Sequence, residues 1–236
     1  MMVPFERPHH QRIAQVLYAL HGPLLRANNC LFGGGTAIAL RHGEYRESVD
    51  IDFLVSDIAG YRHLRQLLTG QNGFANILHS AATSPMPIRE VRADQYGIRT
   101  VLRVADHPIK FEMILEGRIA LAAPSATDDV CGIATLTSLD MATSKLLANS
   151  DRWGDEGIFN RDVIDLAMMK PPLNVLQQAV TKAQGAYGNA ILQDLDKALH
   201  KLKTRQGWLD HCMTVLAMNT PKAVVWQRLR ALRKCL

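Results

Sequence analysis

Two aspartates separated by one residue, Asp50 and Asp52, are the first candidates for chemistry in this sequence. They lie in residues 49–55, where apolar and acidic residues alternate, and that alternation predicts a β-strand. Side chains at positions i and i+2 of a strand project to the same face, so both carboxylates can contact one cation. Because magnesium prefers carboxylate oxygens and keeps room for water and substrate phosphate, the pair predicts a site for Mg²⁺ or Mn²⁺.

A third acid, Glu112, lies in the strongly apolar residues 109–115, which predict another strand. If the two strands pair side by side, Glu112 can face the same site. Burying a carboxylate in such a segment is costly without a cation or a hydrogen-bond donor. Three carboxylates can hold two metal ions, which activate an attacking oxygen and stabilise a leaving phosphate. The alternative is that Glu112 faces solvent at a strand edge, paired with Lys110.

A glycine turn precedes the acid pair in the chain. Gly33, Gly34 and Gly35 follow a short apolar segment and open a predicted helix that begins with Thr36. Glycines let backbone N–H groups approach a triphosphate without a Cβ in the way, and a helix start favours an anion. Thr36 adds a hydroxyl donor. The spacing of a Walker loop is absent, so the prediction of a phosphate site depends on the order of glycine turn and acid pair.

A resemblance to the nucleotidyltransferase superfamily, and more closely to the AbiEii/AbiGii toxin family, is carried by the segment GGGTAIALRHGEYRESVDIDF. The residues that match the pattern of that family are Gly34, Gly35, Thr36, Ala37, Leu40, Gly43, Arg46, Ser48, Asp50, Ile51, Asp52 and Phe53. The resemblance implies a nucleoside triphosphate (NTP) as substrate, bound by Gly34, Gly35, Thr36 and Ser48. It also implies that Asp50, Asp52 and Glu112 are catalytic metal ligands.

A second stretch extends the resemblance. Lys145 lies in a predicted helix, and Asp162 and Asp165 follow in the segment RDVIDL. The resemblance implies that Lys145 contacts the nucleotide phosphates and that Asp162 organises this lysine as part of the catalytic set. Asp165, three residues further on nearly the same helix face, joins the nucleotide-binding set. The resemblance covers residues 31–53 and 109–166 well and the C-terminal end poorly.

The elements that must position these residues change in character along the chain. Alternating segments and short helices in the first half predict a mixed sheet, and helical periodicity dominates after residue 137. The predicted fold class is α+β, a nucleotidyltransferase-like mixed sheet flanked by helices and followed by a helical C-terminal domain. The predicted domains are a catalytic domain over 1–125 and a mostly helical domain over 126–236, which completes the nucleotide site and is a candidate for binding the acceptor.

Composition excludes several other classes of protein. The 236 residues are 47% hydrophobic, and no run of 18 apolar residues is free of charge, so no membrane span is expected. The N-terminus carries charges where a secretory signal needs an apolar run, which predicts a cytoplasmic protein. The four cysteines are scattered and form neither a zinc motif nor a disulfide framework.

The net charge of +5 is concentrated in residues 199–236, which contain eight lysines and arginines and one acid, Asp210. A basic region of this kind suits an enzyme that holds a polyanion, and a solvated helix face explains it equally well.

Three functions remain open at this point. The leading hypothesis is Mg²⁺-dependent transfer of a nucleoside monophosphate (NMP) from an NTP to an acceptor. The resemblance implies the toxin of a toxin–antitoxin or phage-defence pair, with a cognate antitoxin and with tRNA or other RNA as candidate acceptor. The alternatives are a catalytically degenerate protein that only binds nucleotide, and an RNA-binding regulator that uses mainly its basic helices.

Overall fold

The computed structural model describes residues 5–79 and 85–236. The chain forms two compact units, and the short segment His42–Glu47 belongs to the second although the chain before and after it belongs to the first. The first unit comprises Met1–Arg41 and Ser48–Thr137, and the second comprises His42–Glu47 and Ser138–Leu236.

A mixed β-sheet is the centre of the first unit. Its strands are β1 (Cys30–Gly33), β2 (Ile51–Val55), β3 (Met86–Pro87), β4 (Arg92–Ala93), β5 (Gly97–Val104) and β6 (His107–Leu115). The order across the sheet is β1-β2-β6-β5-β3, and β4 also pairs with β5. The pair β2–β6 is parallel and the other pairs are antiparallel. The mixed sheet confirms the predicted fold class.

One face of this sheet carries a buried cluster of aromatic side chains. Phe53 of β2 is fully buried, and its ring centroid lies 5.5 Å from that of Phe32 and 5.6 Å from that of Phe111. These separations are typical of favourable aromatic pairs. Since side chains alternate along a strand, burying Phe53 turns its neighbour Asp52 to the opposite, more open face. Burial of the apolar residues of β2 therefore fixes the direction in which its acidic side chains point.

The helices and small strands of the first unit surround this sheet. They are α1 (Pro8–Ala19), α2 (Gly22–Ala27), α3 (Gly34–Arg41), α4 (Ile58–Thr69), a 3₁₀ turn (Gly73–Ile77), and the two-stranded pair β7 (Asp129–Val130) and β8 (Ile133–Ala134). Ser56 and Asp57 predict the cap of a helix that runs to about Leu68. Asp57 does cap α4, since its carboxylate accepts the N–H of Gly60 at 2.8 Å.

Apolar residues recur at helical spacing over residues 7–27 and predict a single helix there. That prediction is wrong, since the structure breaks the segment into α1 and α2 at Leu20 and His21. The physical reason is Pro23, whose ring cannot follow a helical turn and which lies in the first turn of α2 instead. His21 then caps the new helix by accepting the N–H of Leu24 on its Nδ1 at 3.0 Å.

The second unit is helical, as the sequence predicts. Its helices are α5 (Ser138–Arg152), α6 (Arg161–Met169), α7 (Leu173–Tyr187), α8 (Ala190–Thr204), α9 (Trp208–Val215) and α10 (Lys222–Ala231), with 3₁₀ turns at Glu156–Ile158 and Leu232–Cys235. Within the described ranges, the helices are too short or too polar to cross a membrane.

Replacing Phe53 with alanine tests the aromatic core of the sheet. Phe53→Ala removes a fully buried ring and leaves a cavity between Phe32 and Phe111, so we expect a loss of about 3–5 kcal/mol in the free energy of unfolding. Tyr96→Ala is the matched control, because the Tyr96 side chain is 65% exposed and should change that free energy by less than about 0.5 kcal/mol. Urea unfolding of both variants measures the difference, and equal losses would contradict the core assignment.

Candidate active site

The acid pair and Glu112 meet at the centre of the sheet. In the parallel pairing of β2 with β6, Asp52 lies directly opposite Glu112. Directly opposed residues share a face, and Asp50 lies two residues before Asp52 on that same face. The predicted pairing of the two strands is therefore confirmed. The alternative of a strand edge is wrong, since β6 lies between β2 and β5.

The Glu112 carboxylate is held by two basic side chains. Lys110 Nζ lies 2.8 Å from one of its oxygens, and Arg99 Nε lies 3.2 Å from the other. Arg99 also pairs with Asp94 at 3.2 Å. Sequence reasoning named Lys110 only as a partner of Glu112 and missed Arg99. The signal for Lys110 was its position two residues before Glu112, which places both side chains on one face of the strand.

The Lys110 ammonium interacts electrostatically with all three carboxylates. Partial burial alone would lower the pKa of the Lys110 ammonium. The hydrogen bond with Glu112 and the charges of Glu112, Asp50 and Asp52 outweigh that effect and raise the pKa above its ordinary value. The Lys110 ammonium is therefore stabilised in its charged form by all three acids.

The donor atoms of this face can be tested for a divalent ion. Among residues 5–79 and 85–236, no group of three or more His, Cys, Asp or Glu side chains has the geometry of a metal site. Glu112 is shared between Lys110 and Arg99, and Asp50 and Asp52 add two further carboxylates beside it. Two carboxylates fit magnesium, which is commonly held by one or two of them together with substrate phosphates and water. The role of Glu112 as a metal ligand stays a prediction.

The glycine turn lies against the acid strand. Gly33 ends β1 directly opposite Asp52, and Gly34 opens α3 with a φ of +67°. A Cβ built on Gly34 would lie 2.5 Å from Asp52 Oδ2, closer than real side chains allow. Both the left-handed backbone and this close approach require glycine at position 34. The structure therefore brings the predicted phosphate turn and the predicted metal ligand into direct contact.

Hydrogen bonds of Thr36 and Ser48 connect the helix after the glycine turn to the acid pair. The Thr36 hydroxyl donates to the carbonyl oxygen of Asp50 at 2.5 Å. The Ser48 hydroxyl lies 2.8 Å from the Thr36 hydroxyl. Thr36 is only 1% exposed, so in this structure its hydroxyl fixes the start of β2 relative to α3. Nucleotide binding by Thr36, Ser48 and Gly35 stays a prediction.

An open cavity of about 770 Å³ lies beside the acids in the first unit. Its charged lining consists of the acids Asp50, Glu90 and Glu112 and the cations Arg89, Arg92, Arg99 and Lys110. The volume is in the range of cavities that bind cofactors and substrates. A cavity in which acids border a group of cations suits a ligand that carries phosphate groups and a metal ion.

Lys145 lies in a different environment, inside the second unit. Its ammonium lies 2.9 Å from Asp162 and 2.8 Å from Asp165, and its side chain is only 6% exposed. Burial alone would lower the pKa of Lys145, but the charges of the two aspartates raise it. Arg152 completes the pairing of Asp162 with contacts of 2.7 and 2.9 Å. The predicted organisation of Lys145 by Asp162 matches this contact, and the predicted contact of Lys145 with phosphate stays a prediction.

Asp165 is the most enclosed member of this network. It is fully buried, and the Arg46 guanidinium contacts both of its oxygens at 2.7 and 2.9 Å. The Tyr45 hydroxyl donates to it at 2.5 Å. Burial alone would raise the pKa of Asp165, but Arg46 and Lys145 lower it below its ordinary value. Sequence reasoning gave no such role to Tyr45 or Arg46, because their partner lies more than a hundred residues away.

Asp165→Asn tests the weight of this network. The change leaves Arg46 and Lys145 buried with one counter-charge fewer, and breaking a buried ion pair in this way costs about 3–5 kcal/mol. Asp210→Asn is the control, since Asp210 pairs with Lys222 where both side chains are more than half exposed, and its loss should cost less than about 1 kcal/mol. Thermal unfolding near pH 7 compares the two, and similar losses would refute a structural role for the network.

The difference in stability between the wild type and Asp165→Asn should depend on pH. The pKa of Asp165 is lowered in the folded protein, so its stabilisation is complete above the ordinary aspartate pKa of about 4 and is lost as pH falls below it. We expect the stability gap between the wild type and Asp165→Asn to narrow as the pH is lowered from 5 to 2. A gap that is constant over this range would contradict the lowered pKa.

The chain resembles known proteins in sequence and in fold. The family model described as "Nucleotidyl transferase AbiEii toxin, Type IV TA system" matches residues 15–231. The crystal structure of JHP933 from Helicobacter pylori is 14% identical, with a TM-score of 0.47 over 98% of this chain and 94% of that one. A second structure, described as a "putative nucleotidyltransferase from H. pylori", is 13% identical, with a TM-score of 0.36 over 96% of each chain.

No curated protein matches the chain. The likeness to the two solved structures is too distant to support an argument about function, so the assignment depends on the family model, which covers most of the chain. The chain belongs to the AbiEii nucleotidyl transferase toxin family of type IV toxin–antitoxin systems.

Proposed function

We propose that this protein transfers an NMP from a magnesium-bound NTP to the hydroxyl group of an acceptor. The observation that carries the proposal is the contact between the Gly34 turn and Asp52, with Glu112 in register on the next strand. A turn of backbone N–H groups can hold phosphate oxygens, and the adjacent carboxylates can hold the metal ion that accompanies them. The triphosphate therefore binds over this contact, with its phosphates at the turn and its metal ion at the carboxylates.

The residues of the first unit divide the work of the reaction. The Gly34 turn orients the β- and γ-phosphates, and Asp50 and Asp52 hold the metal ion. Magnesium, when bound, supplies Lewis-acid stabilisation of the charge that develops on the phosphates. The acceptor oxygen forms a bond to the α-phosphorus, and the bond from that phosphorus to the bridging oxygen breaks to release pyrophosphate. The proton of the acceptor hydroxyl passes to a carboxylate of the site.

Glu112 is a candidate for two roles, a further metal ligand or the base that accepts this proton. Its contacts with Lys110 and Arg99 keep its carboxylate fixed beside Asp52 in either role. The family assignment implies an antitoxin partner, and we propose an RNA, with tRNA as the first candidate, as the acceptor. The basic residues 199–236 are compatible with an RNA acceptor but do not by themselves identify one.

A rival function is nucleotide binding without turnover. It is favoured by the absence, among the residues described, of a group of three acids arranged for metal. Titration calorimetry that detects binding of magnesium–NTP, combined with no transfer of label to any acceptor, would support the rival. The contact of Asp52 with the Gly34 turn favours catalysis, because it places a carboxylate beside the predicted phosphates.

Asp52→Asn tests the proposal. The change keeps the shape of the side chain and removes the charge that holds the metal ion, so several kcal/mol of transition-state stabilisation should be lost, which corresponds to a rate lower by roughly 1000-fold or more. The control is Asp106→Asn, the same change at an exposed turn of the same unit, which should retain full activity.

The measurement incubates each variant with each of the four labelled NTPs, total RNA and total protein, with magnesium, with manganese, or with a chelator. We expect label in one fraction only, dependent on the metal and lost in Asp52→Asn. Transfer by Asp52→Asn at the rate of the wild type would refute the catalytic role of the acid pair.

A further inference from the structure

A single row of residues crosses the sheet from the glycine turn to two arginines. The pairings place Gly33 beside Asp52, Asp52 beside Glu112, Glu112 beside Arg99, and Arg99 beside Arg92. Directly opposed residues share a face, so the row runs from the phosphate turn through two acids to two bases. The acids thus separate two regions that favour anions.

We propose that Arg89 and Arg92 bind backbone phosphates of the RNA acceptor, upstream of the terminal hydroxyl that reacts. The inference rests on the proposed function, because it takes the glycine side of the row as the position of the triphosphate. An acceptor must then approach the acids from the other side. That side is the 770 Å³ cavity, which Arg89 and Arg92 line together with Asp50 and Glu112.

The two arginines differ from Arg99 in their partners. Arg99 is bound to Asp94 and Glu112 within the protein. Arg89 and Arg92 are exposed, and within residues 5–79 and 85–236 neither guanidinium has an ion pair or a hydrogen bond. Guanidinium groups bind phosphate oxygens in a bidentate manner, and phosphate contacts set the register of a bound nucleic acid. Two exposed guanidinium groups with no partner among the described residues are therefore available for an external anion.

The dimensions favour linked nucleotides over a single one. Arg92 is three strands away from Asp52 along the row, a distance of about 14 Å at about 4.8 Å per strand. One phosphate cannot be close to both positions, whereas a chain whose terminal hydroxyl lies at the acids can place an earlier phosphate at Arg92. Val49, Val101 and Pro108 add apolar surface to the same cavity, against which bases can pack.

The path continues beyond the first cavity. Arg89 and Glu90 also line a second open cavity of about 630 Å³ in the same unit. Ile88, which is 40% exposed, lies there beside the neutral polar side chains of Gln71 and Asn72. Arg89 therefore lies where the two cavities meet, and a strand that leaves the first cavity can pass this guanidinium into the second.

The test compares the double variant Arg89→Ala/Arg92→Ala with the control Arg62→Ala/Arg65→Ala, which removes the same charge from the exposed face of α4 in the same unit. The probe is a fluorescent oligoribonucleotide of two to eight nucleotides, and its Kd is measured by anisotropy over a range of salt concentrations. We expect the Arg89/Arg92 variant to bind at least about tenfold more weakly and the slope of log K against log salt to fall by about 1.4, for two lost contacts with a single strand. The control should change Kd by less than about twofold.

A second measurement separates acceptor from nucleotide. The Arg89/Arg92 variant should raise the KM for the acceptor and leave the Kd of magnesium–NTP unchanged. Equal weakening of NTP binding would assign the arginines to the triphosphate and overturn the inference. The inference would also be overturned if a mononucleotide competed with the fluorescent probe as well as the longest oligonucleotide does. The same holds if the control variant weakened probe binding equally, or if label appeared only in protein.

The failure of this inference can be told apart from the failure of the proposed function. Asp52→Asn should keep oligonucleotide binding and its dependence on the two arginines. If the wild type transfers no label and binding still depends on Arg89 and Arg92, the binding site stands and the catalytic proposal fails. If the wild type transfers label to RNA and the KM for the acceptor is the same in the Arg89/Arg92 variant, this inference fails and the catalytic proposal stands.

Discussion

The parallel register of β2 and β6 is the constraint on which the site depends, because it sets the carboxylates of Asp52 and Glu112 side by side. Like charges directly opposed on a sheet destabilise it unless cations compensate. Lys110 and Arg99 supply part of that compensation on Glu112, and the metal ion that we propose would supply more of it beside Asp52. The fold thus holds two acids where they favour the binding of positive charge. Hydrophobic burial of Phe53 on the other face contributes to the free energy that maintains the arrangement.

Much of the fold could be predicted from local patterns, and the reasons are visible in particular residues. Alternation of apolar and charged residues around Asp52 and around Glu112 predicts both strands, and Asp57 predicts the N-terminal cap of α4. The break between α1 and α2 was missed because helical periodicity continues across Pro23, although the backbone cannot. For the acid pair and the glycine turn, a signal existed because the residues are close in sequence or share a strand face.

The remaining parts of the site could not be predicted because they depend on pairing between distant segments. Arg92 and Arg99 become neighbours only through the β4–β5 pairing, and Arg99 reaches Glu112 only through β5–β6. The sequence around each arginine predicts only an ordinary exposed side chain. The same limit applies to Arg46 and Asp165, which are 119 residues apart in sequence. No local pattern predicts a contact of that range, and only the folded chain identifies which charges are paired and which are free.

Charged residues in this chain consequently serve two different physical purposes. Asp165 is fully enclosed, and every described contact it makes is with Tyr45, Arg46 or Lys145, so its charge stabilises the second unit. Such a network is costly to disturb, because each buried charge relies on the others. Asp50 lines an open cavity, and among residues 5–79 and 85–236 its carboxylate has no comparable set of ion pairs. An enzyme that must admit a metal ion and a phosphate chain needs acids of the second kind, held in place by a rigid sheet but left open on one side.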